Sequence, residues 1–282
     1  MLLFHPLSSP TLTAFSTERH AIAIDAPYEG MNITSYTGDD ANHVAACRER
    51  LCQQLGIAAD RLFLPRQVHG TRIVEVTSNT LPEDLEGVDA LITALPDVCI
   101  GISTADCVPL LMHDRRSDAI AAVHAGWRGT VARIGVLALT AMHDTFDTRP
   151  EDVECAIGPS IGPEAFEVGD EVYEAFAAAA FPMEVIAYRP ESKSRRVQRP
   201  FSTRRKKRQT LEKWHIDLWK ANAWQLERAG VRPENIHTAA ICSYQHYDRF
   251  FSARRLGINS GRTYSGIMRK AVGAVTEPSS PS

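Results

Sequence analysis

Apolar positions in this chain gather in short runs broken by turn residues. Asp39 and Asp40 precede Ala41–Leu55, and Gly56 follows it, which predicts a capped helix over that span. The first residues and His20–Ile24 read as short strands. Phe63–Val68, Arg72–Val76, Val88–Thr93, Val98–Ser103, Val108–His113 and Ala119–His124 are β-branched or apolar runs, predicted as strands. A helix is expected over Arg128–Phe146, a strand over Val153–Ile157 and a helix over Gly169–Ala180. Asp217 caps a further helix to Ala229, stopped by Gly230. Ile236–Cys242 and Thr263–Arg269 close the pattern as strands. Strands and helices mix without strict alternation. That argues α+β with mixed sheets rather than a doubly wound parallel sheet. No internal repeat of about 20–50 residues is visible.

Composition narrows the classes. The chain has 282 residues, 44% hydrophobic and 23% charged, enough to bury a core without a disulfide scaffold. A formal net charge of −3 argues against a dedicated nucleic-acid binder. Ala175–Met183 is too short for a membrane span, and Val98–Met112 is interrupted by Asp106. The start MLLFHPLSSP lacks the basic region and full apolar stretch of a secretory signal, and the six cysteines are scattered. A cytoplasmic protein without membrane partners is expected. One segment departs from the rest: 193–208 holds nine basic residues and no acid, while the remainder carries 22 basic against 34 acidic residues. Such a block is expected to be a solvated loop. The alternative is an electrostatic patch for a phosphorylated substrate or RNA. Residues 273–282 read as a flexible tail.

Three stretches carry candidate chemistry: PRQVHGTRIVEV (65–76), GISTADCVPLLMHD (101–114) and AAVHAGWRGT (121–130). His69, Cys107 and His124 each stand at a strand end or bend. Two imidazoles and one thiolate would leave a fourth position open, as in catalytic zinc sites, but the spacing alone does not show that they converge. Asp106, beside Cys107, could act as general acid/base or could orient one of the histidines. Arg128 follows a strand-to-helix turn suited to anions, and further arginines cluster in FFSARR (250–255) and SGR (260–262). Cys47 and Cys52 resemble a C-x4-C pair, yet five residues of helix rotate about 500°, so the thiols point apart. Both are expected to be core or surface cysteines, and His113 and His246 to lie at the rim and in a loop.

The motifs QVHG, TADC, VHAGWRG, AIGPSIGP with FEVGDEV, then CSY, FFSARR and SGR, in this order from Asn32 to Met268, resemble the YfiH-type family. This family is also called the laccase-domain or polyphenol-oxidase-like family. The resemblance implies a single catalytic domain over residues 1–272, with mixed β-sheets sandwiched between helices and a variable basic loop at 193–208. It implies that His69, Cys107 and His124 bind zinc, with copper also proposed. The activities it implies are phosphorolysis of adenosine, inosine, guanosine and methylthioadenosine, and adenosine deamination. An alternative is hydrolytic removal of L-serine from a UDP-linked sugar amino acid, the editing of a peptidoglycan precursor. A copper-dependent polyphenol oxidase is a third. Departures from the family pattern are Cys47 before Arg48, where Asn is usual, with Ser160, Phe166, Ala253 and Ser260.

Chemistry ranks these readings. A four-copper oxidase needs many imidazoles for its trinuclear cluster, and too few of the ten histidines lie in the motifs. Zinc chemistry on a small molecule fits better, with Asp106 moving a proton and Arg48, Arg128 and Arg262 holding phosphate. A metal-free cysteine hydrolase, with Cys107 as nucleophile and His124 or His69 as base, is the alternative within enzymes. A non-catalytic anion or RNA binder acting through the basic loop is the alternative outside them.

Overall fold

In a computed structural model, the described residues are 1–4, 7–20, 23, 25–190 and 212–271. The basic loop at 193–208 and the tail at 273–282 lie outside them.

Fourteen strands are named in chain order: β1 (Leu2–Leu3), β2 (Leu12–Ser16), β3 (Leu62–Phe63), β4 (Ile73–Glu75), β5 (Ala90–Thr93), β6 (Val98–Thr104), β7 (Val108–Asp114), β8 (Ile120–Ala125), β9 (Val153–Ile157), β10 (Glu167–Val168), β11 (Ala187–Tyr188), β12 (Trp214–Ile216), β13 (Ile236–Thr238) and β14 (Thr263–Arg269). The helices are α1 (Ala41–Leu55), α2 (Trp127–Val131), α3 (Ile134–Phe146), α4 (Asp170–Ala178), α5 (Met183–Ile186), α6 (Leu218–Arg228) and α7 (Ala253–Leu256). One sheet runs β1-β2-β14-β6-β3 and a second β13-β9-β7-β8-β5-β4. Both are mixed, with β3–β6, β4–β5 and β9–β13 parallel and the other pairs antiparallel.

The alternation of side chains along the central strands explains the layers. On β8, Ala121 and Val123 face the helices α3 and α6, while Ile120 and Ala122 face the other large sheet. On β6, Ile100 and Ile102 point into the gap between the sheets, and Cys99 points out to α1. Strands covered on both faces read as continuous apolar runs bounded by turn residues, which is why they stand out in the sequence. The result is α1, two stacked mixed sheets, then α3 and α6: the expected α+β domain with sheets between helices.

The structure corrects several boundaries. His20 is not in a strand, and the second strand is Leu12–Ser16; residues 21, 22 and 24 of the expected strand lie outside the described set. The helix expected over Arg128–Phe146 is two helices. Arg133 adopts the left-handed region (φ 60°) between α2 and α3. Its guanidinium lies 5.0 Å from the Phe181 ring and donates to the Ala179 carbonyl, tertiary contacts that hold the break. The strand at Ile236 stops at Thr238, because Ala240 turns at φ 52°. The small sheet β10-β12-β11 was not expected: strands of two or three residues carry no periodic signal. None of the described helices is long and apolar enough to cross a membrane.

Candidate metal centre

Three segments far apart in sequence meet at the ends of β5, β7 and β8. His124 is the penultimate residue of β8, Cys107 sits in the bend before β7, and His69 lies in the loop before β4. Their ligand atoms all lie within 4.8 Å of one another. Cys107 Sγ is 3.8 Å from His69 Nε2, and the two imidazole rings pack edge-on with centroids 4.8 Å apart. His124 is buried, Cys107 half-buried and His69 exposed, so the group opens towards solvent on the His69 side.

Asp89 organises this group, and the sequence reading missed it. It is 0% exposed. Its Oδ1 accepts from His124 Nδ1 at 2.8 Å, and its oxygens also accept the backbone N–H groups of Val68, His69 and Gly70. A carboxylate accepts only, so Nδ1 carries a proton and Nε2 is the nitrogen that faces Cys107 and would hold a metal in place of its proton. The backbone of Asp89 adds a further tie, its carbonyl accepting from His124 N–H at 2.8 Å. A signal was available: Asp89 is an acid inside the apolar run Val88–Thr93.

The same contacts bend the chain. His69 (φ 61°) and Asp106 (φ 86°) both occupy the left-handed region, unusual for residues with side chains. Three hydrogen bonds to Asp89 hold the first, and flanking contacts hold the second. Gly126, between His124 and α2, matters for space rather than for backbone freedom. A Cβ there would lie 3.1 Å from both Cys107 Sγ and His69 Cδ2.

Burial alone would push the Cys107 thiol up; the neighbouring charge of His124 and hydrogen bonds from His124 and His69 outweigh it and bring the thiol down to about 6. Burial works downward on His124, but the Cys107 thiolate and Asp89 raise it to about 9. The centre therefore holds a thiolate at neutral pH, the form in which cysteine binds metal. Two imidazole nitrogens and a thiolate, one nitrogen oriented by a buried carboxylate, fit a zinc or copper ion with room for a further ligand.

The other expected residues divide. Asp106 orients neither histidine. Its Oδ1 accepts from Ser243 Oγ at 2.7 Å and its Oδ2 from Arg254 N–H at 2.6 Å, so the CSY and FFSARR motifs meet on it beside Cys107. Arg262 is within electrostatic reach of Cys107 and Asp106, while its guanidinium donates to the carbonyls of Ile258, Ser260 and Gly261. Arg128 is exposed one residue beyond Trp127, its guanidinium 4.3 Å from that ring. Arg48 is not brought to the centre. It donates to the carbonyls of Ala59 and Leu62, beside a cleft of about 270 Å³ shared with Tyr36 and Arg66. Gln67 pins its loop to β6, exchanging hydrogen bonds of 2.8 Å with both backbone groups of Ser103.

The chain matches the family model described as "Multi-copper polyphenol oxidoreductase laccase" over residues 13–270. It is 43% identical to "Purine nucleoside phosphorylase" of Bacteroides thetaiotaomicron, over 95% of this chain and 96% of that one. It is 42% identical to "Adenosine deaminase RL5" of an unknown prokaryotic organism, over 91% of this chain and 94% of that one. In fold it is similar to the crystal structure of Bacillus licheniformis YfiH, with TM-score 0.79 and 23% identity over 94% of this chain and 98% of that one. The chain is thus an enzyme of the laccase-domain, YfiH-type family.

Proposed function

We propose that this protein is a zinc-dependent purine nucleoside enzyme. It cleaves adenosine, inosine, guanosine and methylthioadenosine by phosphorolysis and deaminates adenosine. The observation that carries the reading is the convergence of His69, Cys107 and His124 within 4.8 Å, open on one side. The names of the two relatives above support the substrate class. Zinc is favoured over a multicopper set because, among the described residues, one group of three ligands converges, which suits a mononuclear site.

His69 Nε2, Cys107 Sγ and His124 Nε2 would hold the ion, which supplies a Lewis acid beside the reacting atoms. Asp89 fixes His124 and the His69 loop, so that these donors are preorganised. Asp106, held on Ser243 and Arg254 next to Cys107, is placed to accept or return a proton. In phosphorolysis a phosphate oxygen bonds to the ribose C1′ while the bond to the purine nitrogen breaks, and the departing base takes up a proton. Arg128 lies exposed for the phosphate, and Arg262 contributes positive charge from its loop.

Metal analysis of the purified protein, with adenosine and phosphate assayed in parallel, tests this. About one zinc per chain with adenine release is expected, both lost in Cys107→Ser. Zinc without nucleoside turnover would shift the reading to hydrolysis of a UDP-linked sugar amino acid. Turnover in a metal-free protein would overturn it in favour of a cysteine hydrolase.

A further inference from the structure

A second carboxylate–imidazole–thiol group stands at the N-terminal end of α1, with the carboxylate in the segment that leads into the helix. His43 and Cys47 are one helical turn apart, and Cys47 Sγ lies 3.4 Å from His43 Nε2. His43 Nδ1 is 2.9 Å from Asp39 Oδ2. Asp39 is itself fixed: Oδ2 accepts from Asn32 Nδ2 at 2.7 Å, and Oδ1 from the backbone of Asp40 at 2.8 Å. An acceptor-only carboxylate at Nδ1 leaves the Nε2 lone pair facing the thiol, the arrangement in which an imidazole serves a cysteine as base. The thiol proton is shared with the Gly30 carbonyl at 3.6 Å. Cys47 is 6% exposed, yet it lines a cavity of about 350 Å³ together with Glu18, Glu29, Arg50 and Gln54. That volume admits a small molecule but no folded partner, and its walls carry both signs of charge.

We propose that Asp39, His43 and Cys47 form a reactive-thiol site that exchanges with small zwitterionic disulfides. Cys47 Sγ attacks one sulfur of the disulfide while its proton passes to His43 Nε2. A new S–S bond joins Cys47 to one half. The other half leaves with the electron pair of the broken S–S bond and takes the proton back from His43 as a free thiol. The exchange is a modification of the protein, reversed by excess thiol. No partner thiol on α1 diverts it, since Cys52 is about 140° round the helix.

Cys52 provides the control. It is 5% exposed and lines its own cavity of about 390 Å³, and burial pushes its thiol up. The metal-loaded protein would be incubated with oxidised glutathione at neutral pH, and each cysteine-containing peptide followed by mass spectrometry. Cys47 should gain glutathione at least about tenfold faster than Cys52, and His43→Gln should reduce its rate about tenfold. Equal rates at Cys47 and Cys52 would overturn the proposal without recourse to any variant. So would a Cys47 rate unchanged by His43→Gln in a protein with an unaltered thermal midpoint.

Discussion

The chain holds two groups of the same chemical parts in different geometry. At the candidate metal centre, Asp89, His124, Cys107 and His69 come from four segments, and the three candidate donors lie within 4.8 Å of one another. At the start of α1, Asp39 just before the helix and His43 and Cys47 on its first two turns follow one another, and the contacts form a line. A line passes a proton to or from one thiol. A surround places three donors on one ion and leaves an approach for substrate. The comparison teaches that residue types do not distinguish the roles; the number of directions from which the donors arrive does.

The strongest way to break the comparison is Cys107→Ser. Losing a donor from the surround should abolish metal retention and cut turnover beyond the roughly 10–100-fold typical of an outer partner, measured by metal content and initial rates. Retained zinc with full activity would show that the three donors do not work as a unit. Next is Asp89→Asn, which keeps the shape but removes the charge behind His124. Metal affinity should fall about 10–100-fold, read by competition with a chelator, and an unchanged affinity would deny Asp89 its positioning role. The same variant is expected to leave glutathione exchange at Cys47 untouched.

A pH titration sharpens the contrast. In metal-stripped protein, alkylation of Cys107 should show a midpoint near 6, and Asp89→Asn should move it up by weakening the charge on His124. The signs for stability are opposite. The contribution of Cys107 is full above its ordinary value of 9 and is lost as pH falls through about 6. That of His124 is full below 6.5 and is lost as pH rises through about 9. The thiolate–imidazolium pair therefore holds the metal-free fold between about pH 6 and 9. Thermal midpoints that rise below pH 6 would contradict this. The smallest effect is expected from Gly126→Ala, whose methyl would press on Cys107 and His69 at 3.1 Å. A few-fold loss of metal affinity is expected, from neighbours shifting by tenths of an ångström. A larger loss than in Asp89→Asn would mean that space, not orientation, limits the centre.

Legibility in the sequence followed the range of the forces involved. Long buried strands such as Val98–Thr104 and Val108–Asp114, and the helix between Asp40 and Gly56, announce themselves through local hydrophobicity and capping. The break at Arg133 does not, because Phe181 and Trp224 create it from elsewhere in the chain. The two-residue strands β10 and β11 exist only through pairing with β12. At the site, the three donor types were visible at strand ends, but Asp106 was weighed as a partner for a histidine and Asp89 holds that place. The four-residue spacing of Asp39, His43 and Cys47 is open to view in the sequence, while their contacts and the cavity beside Cys47 are not.

What the sequence by itself determined was the long strands and helices, the mixed α+β class and the residues able to bind a metal, because local hydrophobicity and side-chain chemistry are properties of neighbouring residues. Only the tertiary structure decided which of those residues meet. His69, Cys107 and His124 converge because β5 pairs with β8, and β8 with β7. Asp89 becomes their anchor because that pairing buries its carboxylate, which then needs partners and finds them in His124 Nδ1 and the N–H groups of Val68, His69 and Gly70.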